Sequence, residues 1–288
     1  NKEKISLFSN SLMKKKLKNI AGVTLIEILI GIVISTIMMG AMFTSYNAVN
    51  SVFQQVTDKA KISQSGRDII GMLLRDVRIA GYKHFGDTIK TSDEHQPILI
   101  TKSTTFGSTC DKIDIVYGSA DYDKNKAEGQ RYTYTRNKIT YECERSKIID
   151  KKISGGSTFI DAFAIFKTKK KWNVVSNSWN DPATDGDDTT YNKQKIIDHV
   201  QDLIFNAVDE NGKLIKPPPS QTQNKDKIYK IKTVDIGLTV RSTQEFFRNE
   251  KIRKIFALND GARKISKNDR YLRDTIIVTA HARNLGLQ

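Results

Sequence analysis

A single carboxylate, Glu27, interrupts a run of apolar and small residues that extends from Val23 to Phe43. An acid at the centre of a membrane helix costs about 2.5 to 3.5 kcal/mol on insertion scales, and intramembrane acids are usually paired and functional. Cleavage of the peptide bond between Gly22 and Val23 would create an α-amino group one helical turn before Glu27. This positive charge would neutralise Glu27 of the same chain or of a neighbouring subunit. A cut at this bond would therefore give Glu27 a cation at its own depth in the membrane.

The apolar run itself has the length of a membrane span. Its 21 residues, at a rise of about 1.5 Å each, cover about 30 Å, the thickness of a bilayer's hydrocarbon core. Four lysines, Lys14, Lys15, Lys16 and Lys18, precede it, so the positive-inside rule places the amino terminus in the cytoplasm. A cleaved secretory signal would have a shorter apolar stretch and a small-x-small cleavage site. Met13 is a candidate for the first residue of the translated chain.

The two cysteines, Cys110 and Cys143, allow one disulfide. In an oxidising compartment the disulfide is the favoured state, and two separate buried thiols are the alternative. The bridge would close a loop of about 34 residues and stabilise the fold by roughly 3 to 4 kcal/mol. No Cys-x-x-Cys motif or Cys/His cluster occurs, so the sequence predicts no zinc site.

Catalytic motifs are absent from the sequence. The four histidines are scattered, with no metalloprotease motif, nucleophile elbow or phosphate-binding glycine loop near them. The acidic loop Asp181 to Asp188 could collect oxygens around calcium, but it lacks the spacing of an EF-hand, and the question stays open. The prediction is a protein that is not an enzyme and has no cofactor.

The net charge of +15 overstates the case for a nucleic-acid partner. The first 22 residues hold six lysines and one acid, which leaves 41 basic and 31 acidic residues and a net charge of +10. The excess is scattered over the chain. Short clusters, such as the one from Lys167 to Lys171, could contact DNA or anionic lipid, but we interpret them as solvated faces.

Helical periodicity continues beyond the apolar run and predicts one helix of roughly 55 residues, half transmembrane and half amphipathic. Gly81 is expected to end it. The amphipathic half repeats apolar residues at steps of three and four: Val49, Val52, Phe53, Val56, Ala60, Ile69, Leu73, Val77 and Ala80.

After Tyr82 the pattern changes to short runs of β-branched and aromatic residues that are typical of strands. The segment from Arg136 to Lys138 is interpreted as a hairpin turn, and residues 243–258 are left open between a helix and a packed insert. Polar loops are expected at 176–188 and 217–226. The predicted strands are Ile113 to Tyr117, Arg131 to Thr135, Ile139 to Glu144, Thr158 to Ile165, Tyr229 to Val240 and Thr275 to Ala282.

The lysines, Gly22, the string from Val23 to Glu27 and the apolar run together resemble the class III signal of type IV pilins and type II secretion pseudopilins. The resemblance implies that a prepilin peptidase cleaves after Gly22 and methylates Val23, and that Glu27 recruits the subunit into a filament. Phenylalanine is usual at the first mature position, where this chain has Val23.

Three further segments resemble PilW-type minor pilins, relatives of the J-type pseudopilins. They are Ser63 to Asp68 with Leu74 to Tyr82, then Ile196 to Leu203, and Val234 to Ser242. This resemblance implies an α+β, pilin-like fold, in which a long N-terminal helix packs on an antiparallel β-sheet head domain. The implied organisation is a leader at 1–22, a transmembrane half-helix at 23–46, an amphipathic half at 47–82 and a periplasmic head at 83–288.

The resemblance also implies a function and partners. The chain would be a minor pilin that anchors once in the inner membrane, joins other minor pilins and the major pilin, and helps to prime a pilus as part of a tip complex. Prepilin peptidase and the inner-membrane assembly platform would be its other partners. The retained Glu27 argues against the outermost position, since terminal K-like pseudopilins commonly lack it. The alternatives are a J-type pseudopilin, a DNA-uptake subunit, and a signal-anchored enzyme or binding protein.

Overall fold

The structure, a computed structural model, describes residues 22–103, 110–150, 159–256, 258 and 264–285. The chain divides into two units on either side of the peptide bond between Gln55 and Val56. We call residues 56–288 the C-terminal unit. One α-helix, α1, covers Leu25–Ile79. Its length of 55 residues agrees with the length predicted from the periodicity.

The first unit contains the apolar part of α1. Every residue from Gly22 to Gln54 is exposed. Helix α1 is long and apolar enough to cross a membrane, with a mean hydropathy of 2.2 over its most apolar stretch. Side chains of this composition need lipid or other apolar helices around them, because water solvates them poorly.

In the C-terminal unit α1 buries one stripe of side chains. The predicted core positions Ile69, Leu73, Val77 and Ala80 are buried, which confirms the periodicity there. The other positions of the predicted apolar repeat, Val49, Val52, Phe53, Val56 and Ala60, are instead exposed. The full set of buried helical residues is Ile62, Gly66, Ile69, Ile70, Leu73, Asp76 and Val77.

The end of α1 is stabilised as the sequence predicts. Gly81 has a φ of +74°, the left-handed conformation that glycine adopts without steric cost. Its N–H donates to the carbonyl of Val116 at 2.8 Å. This hydrogen bond attaches the end of the helix to a strand of the sheet. The Asn284 side chain donates to the carbonyls of Arg78 at 3.2 Å and Ala80 at 3.4 Å. These bonds satisfy carbonyl groups that a helix end leaves without partners.

The described part of the C-terminal unit also contains an antiparallel sheet and two short 3-10 helices, Asp93–His95 and Lys225–Lys230. The strand order of the sheet is β1-β2-β3-β4-β6-β7-β10, with β5 paired to β4, and β8 and β9 form a separate hairpin. The described strands are β1 (Ile98–Thr101), β2 (Lys112–Tyr122), β3 (Tyr132–Arg145), β4 (Phe163–Asn173), β5 (Ser178–Trp179), β6 (Tyr191–Asp209), β7 (Ile231–Glu245), β8 (Lys251–Phe256), β9 (Lys264–Asp269) and β10 (Tyr271–His281).

The hairpin turn predicted from Arg136 to Lys138 is wrong. These residues lie inside β3, where Arg136 pairs with Gly118 of β2 and Lys138 pairs with Lys170 of β4. The chain instead turns between the end of β2 and Tyr132. Polar residues can continue a strand when partners satisfy their side chains, and Arg136 has a buried partner in Asp87.

Several predicted strand boundaries differ from the observed ones by a few residues, and the structure shows what residues 243–256 form. The two strands predicted on either side of the supposed turn are one continuous strand, β3. Residues 243–258 contain the end of β7 and then β8, so this region is extended rather than helical. The predicted strand at 158–165 begins at residue 158, which lies outside the described residues, and β4 begins at Phe163.

The core lies between α1 and one face of the sheet. Side chains from the buried stripe of α1 pack with alternate residues of the strands, among them Ile115, Leu203 and Ile236. Gly66 lets the helix approach the sheet, since a Cβ at this position would lie 2.6 Å from the Cδ1 atom of Ile276. The expected α+β architecture, a long N-terminal helix with an antiparallel sheet, is therefore confirmed.

Candidate functional site

The predicted cleavage position is sterically open. Among the residues that the structure describes, no heavy atom lies within 4 Å of the place where a Cβ of Gly22 would lie, apart from its chain neighbours, and Val23 is 70% exposed. Both precede the first residue of α1, Leu25. A protease needs an extended substrate, so the bond between Gly22 and Val23 lies where the backbone is not committed to a helix.

Glu27 is bound to Thr24 at the start of α1. The Thr24 N–H and hydroxyl each lie 3.0 Å from Oε2 of Glu27, and the Glu27 N–H donates to the Thr24 hydroxyl at 3.3 Å. This reciprocal pattern is a capping box, which satisfies donors that a helix start leaves without partners. Sequence reasoning did not identify Thr24, although the pattern Thr-x-x-Glu before an apolar run is a signal for such a cap.

The capping box gives Glu27 a second role beside the predicted ion pair. Cleavage after Gly22 would leave Thr24 as the second residue of the shortened chain, so the cap would survive processing. The carboxylate remains exposed and carries no ion pair with any residue in the described ranges. The hydrogen bonds from Thr24 can therefore orient the Glu27 carboxylate while it still forms an ion pair with a cation of another chain.

Cys110 and Cys143 form a disulfide, with their Cα atoms 5.6 Å apart. Cys143 lies in β3 opposite Ile165 of β4, and Cys110 lies two residues before the first residue of β2. The bridge therefore joins the entrance of β2 to the last part of β3. Strands β2 and β3 are the second and third strands of the sheet, inside the edge strand β1.

A buried ionic cluster of Asp76, Lys167 and Tyr141 links α1 to the sheet. Lys167 Nζ lies 2.7 Å from Oδ2 of Asp76, and the Tyr141 hydroxyl donates to the same oxygen at 2.6 Å. Their exposed fractions are only 2%, 6% and 0% respectively. Burial, followed by the charge of Asp76, raises the pKa of Tyr141 far above its usual value. The hydroxyl therefore stays protonated as a donor.

This cluster corrects the interpretation of the basic segment from Lys167 to Lys171. Lys167 does not belong to a solvated face, because its ammonium group is buried against Asp76. Lys171 is occupied as well, since it pairs with Asp187 at 2.6 Å. Neither pair has a local signal in the sequence, because the two partners of each pair are not neighbours in the chain.

The acidic loop uses its carboxylates to stabilise its own turns. Asp181 accepts from the Ala183 N–H at 3.1 Å, Asp185 accepts from the Thr190 hydroxyl, and Asp187 accepts from the Thr189 N–H at 2.8 Å. Within the described ranges, no group of three or more His, Cys, Asp or Glu side chains is placed to hold a metal ion.

The four histidines lie in different settings. His84 contacts the rings of Tyr132 and Tyr134, with centroids 5.2 and 5.6 Å away. His95 and His199 are more buried, and burial lowers the pKa of both imidazoles. His281 is exposed at the end of β10.

Comparison with known proteins agrees with the amino-terminal geometry. Residues 17–43 match the family described as "Prokaryotic N-terminal methylation motif". No curated protein matches the chain. Among solved structures, a type IV-like pilin from Thermus thermophilus is similar, with a TM-score of 0.43 and 12% sequence identity, over 77% of this chain and 96% of that one. The amino-terminal segment of this chain, which includes Gly22, Val23 and Glu27, therefore carries a prepilin-type methylation motif.

Proposed function

We propose that the chain is the precursor of a minor pilin of a type IV pilus, a structural subunit without enzymatic activity. The observation that carries the proposal is the methylation motif at 17–43 at the start of a helix that is exposed from its first residue to Gln54. Such a helix needs an apolar environment before and after processing. A membrane supplies the first environment and a bundle of other subunits' helices supplies the second.

Processing would take place at the open backbone before α1. A prepilin peptidase cleaves after Gly22 and methylates the new α-amino group of Val23. The positive chain end then lies beside the capping box formed by Thr24 and Glu27. Pairing of Glu27 with the amino terminus of a neighbouring subunit would set the axial register of the two helices, because a charge pair in an apolar environment tolerates little displacement.

Assembly would move α1 from lipid into the filament. Both environments are apolar, so the transfer costs little hydrophobic free energy, and packing and polar contacts decide it. The head of the subunit would remain in the periplasm until the pilus reaches the cell surface. The partners would be other minor pilins in a priming complex at the pilus tip, the major pilin, and the inner-membrane assembly platform.

The direct test is mass spectrometry of the mature amino terminus. We expect a chain that begins with N-methylated Val23 in cells with an active prepilin peptidase, and the unprocessed chain in a strain without the peptidase. A leader that remains attached in peptidase-positive cells would remove the basis of the proposal. It would favour a signal-anchored protein of another class.

Two substitutions separate the roles of Glu27. Glu27→Ala removes both the charge and the cap acceptor, whereas Glu27→Gln retains an oxygen that can accept from Thr24. We expect both variants to be processed normally and both to lose piliation, because each lacks the negative charge. Normal piliation with Glu27→Gln, counted by electron microscopy, would show that the cap and not the ion pair is required.

A type II secretion pseudopilin would have the same amino-terminal features, and the genes that surround the coding sequence separate the two assignments. A DNA-uptake role would require phosphate contacts that weaken steeply with salt. The burial of Lys167 removes one cation from the cluster that suggested such contacts.

A further inference from the structure

Two cavities in the C-terminal unit share one wall, formed by His199, Arg241 and Thr243. The larger cavity, of about 550 Å³, also reaches Tyr271 and a row of isoleucines. The smaller one, of about 160 Å³, reaches α1 at Ser65. The pairing of β6 with β7 positions the shared wall, since Val200 is the register partner of Val240. His199 directly precedes Val200 on β6, and Arg241 directly follows Val240 on β7, so the two side chains belong to neighbouring strands.

Arg241 is a buried cation without a compensating carboxylate. Its residue is 4% exposed, and within the described part of the chain it forms no salt bridge. Its contacts are a weak donation from Nη1 to the Asp161 carbonyl at 3.4 Å and the face of the Tyr271 ring, 4.1 Å from the guanidinium carbon. Its Nε is buried and has no hydrogen-bond partner. Unpaired buried charges are costly, so such a side chain indicates a missing anion.

No carboxylate of the described residues lies within ion-pair distance of Arg241, although the charges of Asp161 and Asp269 act on it and oppose the lowering of its pKa. Both acids have partners of their own: Asp161 pairs with Lys267, and Asp269 accepts from Arg273 Nη1 at 2.8 Å. Asp198 is paired with Lys195 at 3.6 Å. Around the cavities, Glu245 is paired with Arg270 at 3.5 Å, and the remaining charged wall residues are Asp58, Lys61 and Asp150. Burial, and then the charge of Arg273, lowers the pKa of Arg241.

His199 adds a second unsatisfied polar group to the same wall. Its Nδ1 is buried without a partner, and its φ of +62° is a conformation that side chains rarely adopt. Backbone strain of this kind persists where the surroundings over-determine it and is frequent at ligand sites. Burial, and then the charge of Arg241, lowers the pKa of His199. A neutral imidazole can donate one N–H to an anion bound beside Arg241.

We propose that this wall binds a carboxylate, presented by an acidic side chain of a neighbouring subunit. Arg241 lines both cavities, and the N–H groups of a guanidinium match the two oxygens of a carboxylate, which favours a bidentate pair. Ile148, Ile149 and Ile160 line the larger cavity and offer apolar contact for the methylene groups of a glutamate or aspartate. Ile149 is 56% exposed, so this apolar wall is open to a partner from outside the chain. The site deepens the proposed function and rests on it for the identity of the neighbour.

The carboxylate site is tested by thermal unfolding of the full-length protein in neutral detergent, followed by the fluorescence of Trp172 and Trp179. Chloride, succinate and inorganic phosphate are compared at equal ionic strength. We expect succinate to raise the Tm of the wild-type protein by about 2 to 4 °C over chloride, since a ligand stabilises the state that binds it. Arg241→Met should lose this shift, and the exposed matched control Arg283→Met should keep it.

Two results would overturn the carboxylate assignment. One is an equal succinate shift in the Arg241→Met protein, which would mean a general ionic effect. The other is a larger wild-type shift with phosphate than with succinate, which would assign the site to a phosphate group such as a lipid headgroup. The Tm in chloride gives an independent readout, because an apolar side chain in place of an unpaired buried charge should leave it unchanged or raise it. A lower Tm would mean that Arg241 only stabilises the fold.

The role of a neighbouring subunit is tested in cells. Arg241→Met protein should be processed and methylated at Val23 as in the wild type, while pilus number falls at least tenfold. Processed protein with wild-type pilus number would contradict the docking role and leave the proposed function intact. Failure of processing in the wild type itself would instead contradict the proposed function, and the succinate test would still decide the site.

Discussion

At the scale of single residues, the polar groups in the core have specific partners on distant parts of the chain. Asp76 on α1 meets Lys167 on β4 and Tyr141 on β3. Each of these side chains would destabilise the core if it were alone, because its desolvation would not be compensated. Together they fix how α1 is rotated against the sheet. Arg241 differs from these side chains, because it is buried and forms no ion pair with a carboxylate of the described residues.

Removal of Lys167 should therefore be strongly destabilising. We expect Lys167→Met to lower the free energy of unfolding by about 3 to 5 kcal/mol, because it removes the only buried cation that pairs with Asp76 in the described ranges and leaves the exposed Arg75 at 3.5 Å. Denaturant unfolding measures the change. The matched control Lys124→Met, at an exposed position, should change stability by less than about 0.5 kcal/mol. Equal effects of the two substitutions would contradict this description, and Asp76→Leu combined with Lys167→Met should recover part of the loss.

His95 should make stability depend on pH. Its Nδ1 accepts from the Ser92 N–H at 3.2 Å, and its ring packs edge-on against Trp172 at 4.4 Å. Burial, and then the charge of Arg136, lowers its pKa. Below about pH 6.5, the usual histidine value, the unfolded chain binds a proton that the folded chain resists. Stability is therefore full above this pH and falls as the pH decreases.

The measurement is denaturant unfolding between pH 7 and pH 5. His95→Gln should reduce the loss of stability across this range, and His281→Gln, at an exposed position, should not. The half-buried His199 contributes to the remaining slope in both variants, since burial lowers its pKa as well. A slope that is identical in the wild-type and His95→Gln proteins would contradict the assignment.

At the scale of elements, α1 has two halves with different surroundings, although its sequence is helical throughout. The half in the first unit is exposed on all sides, and the half in the C-terminal unit buries one stripe against the sheet. Two glycines of the second half show how its buried and exposed faces differ. Gly66 faces Ile276 of β10 at close distance, whereas nothing lies within 4 Å of a Cβ built at Gly71.

The two glycines should respond oppositely to the same substitution. Gly66→Leu should destabilise the protein by about 1 to 3 kcal/mol, because the side chain must displace Ile276 from a packed core. Gly71→Leu should stabilise the helix by up to about 1 kcal/mol, since glycine is a poor helix former and the position is open. Thermal or denaturant unfolding of the pair measures both. Destabilisation of equal size at the two positions would mean that helix propensity and packing do not explain the effect.

At the scale of the whole molecule, the sheet is ordered through contacts between segments that are far apart in the chain. Strand β10, near the end of the chain, pairs with β7, and Asn284 returns to cap α1. The disulfide adds a covalent constraint between the start of β2 and the end of β3. Such constraints reduce the conformational freedom of the unfolded chain more than they change the folded one.

Loss of the disulfide should lower the free energy of unfolding by about 3 to 4 kcal/mol, the value expected for a loop of roughly this length. Denaturant unfolding with and without a reductant measures it in the wild-type protein. The double variant Cys110→Ser with Cys143→Ser is the control, and reductant should not affect it. Identical unfolding of the oxidised and reduced wild-type protein would show that the bridge contributes nothing.

The sequence by itself determined the features that depend on neighbouring residues. The apolar run, Glu27 and Gly22 predicted a processed membrane helix, and Gly81 predicted its end, because hydropathy, helical period and caps act over a few residues. Runs of β-branched residues predicted strands that overlap β2, β3, β4, β7 and β10, but they did not predict β1, β5, β6, β8 or β9. The interruption predicted at Arg136 was wrong, because a polar residue in a strand is recognised only once its partner Asp87 is known.

Only the tertiary structure decided which polar side chains meet. The pairing of Asp76 with Lys167 joins residues 91 positions apart in the printed sequence, and the wall formed by His199 and Arg241 exists because β6 pairs with β7. The buried state of these groups depends on desolvation and on partners across the fold, and neither quantity is encoded in local composition. The physical reason is that the energies of buried charges are set by the three-dimensional arrangement of the chain around them.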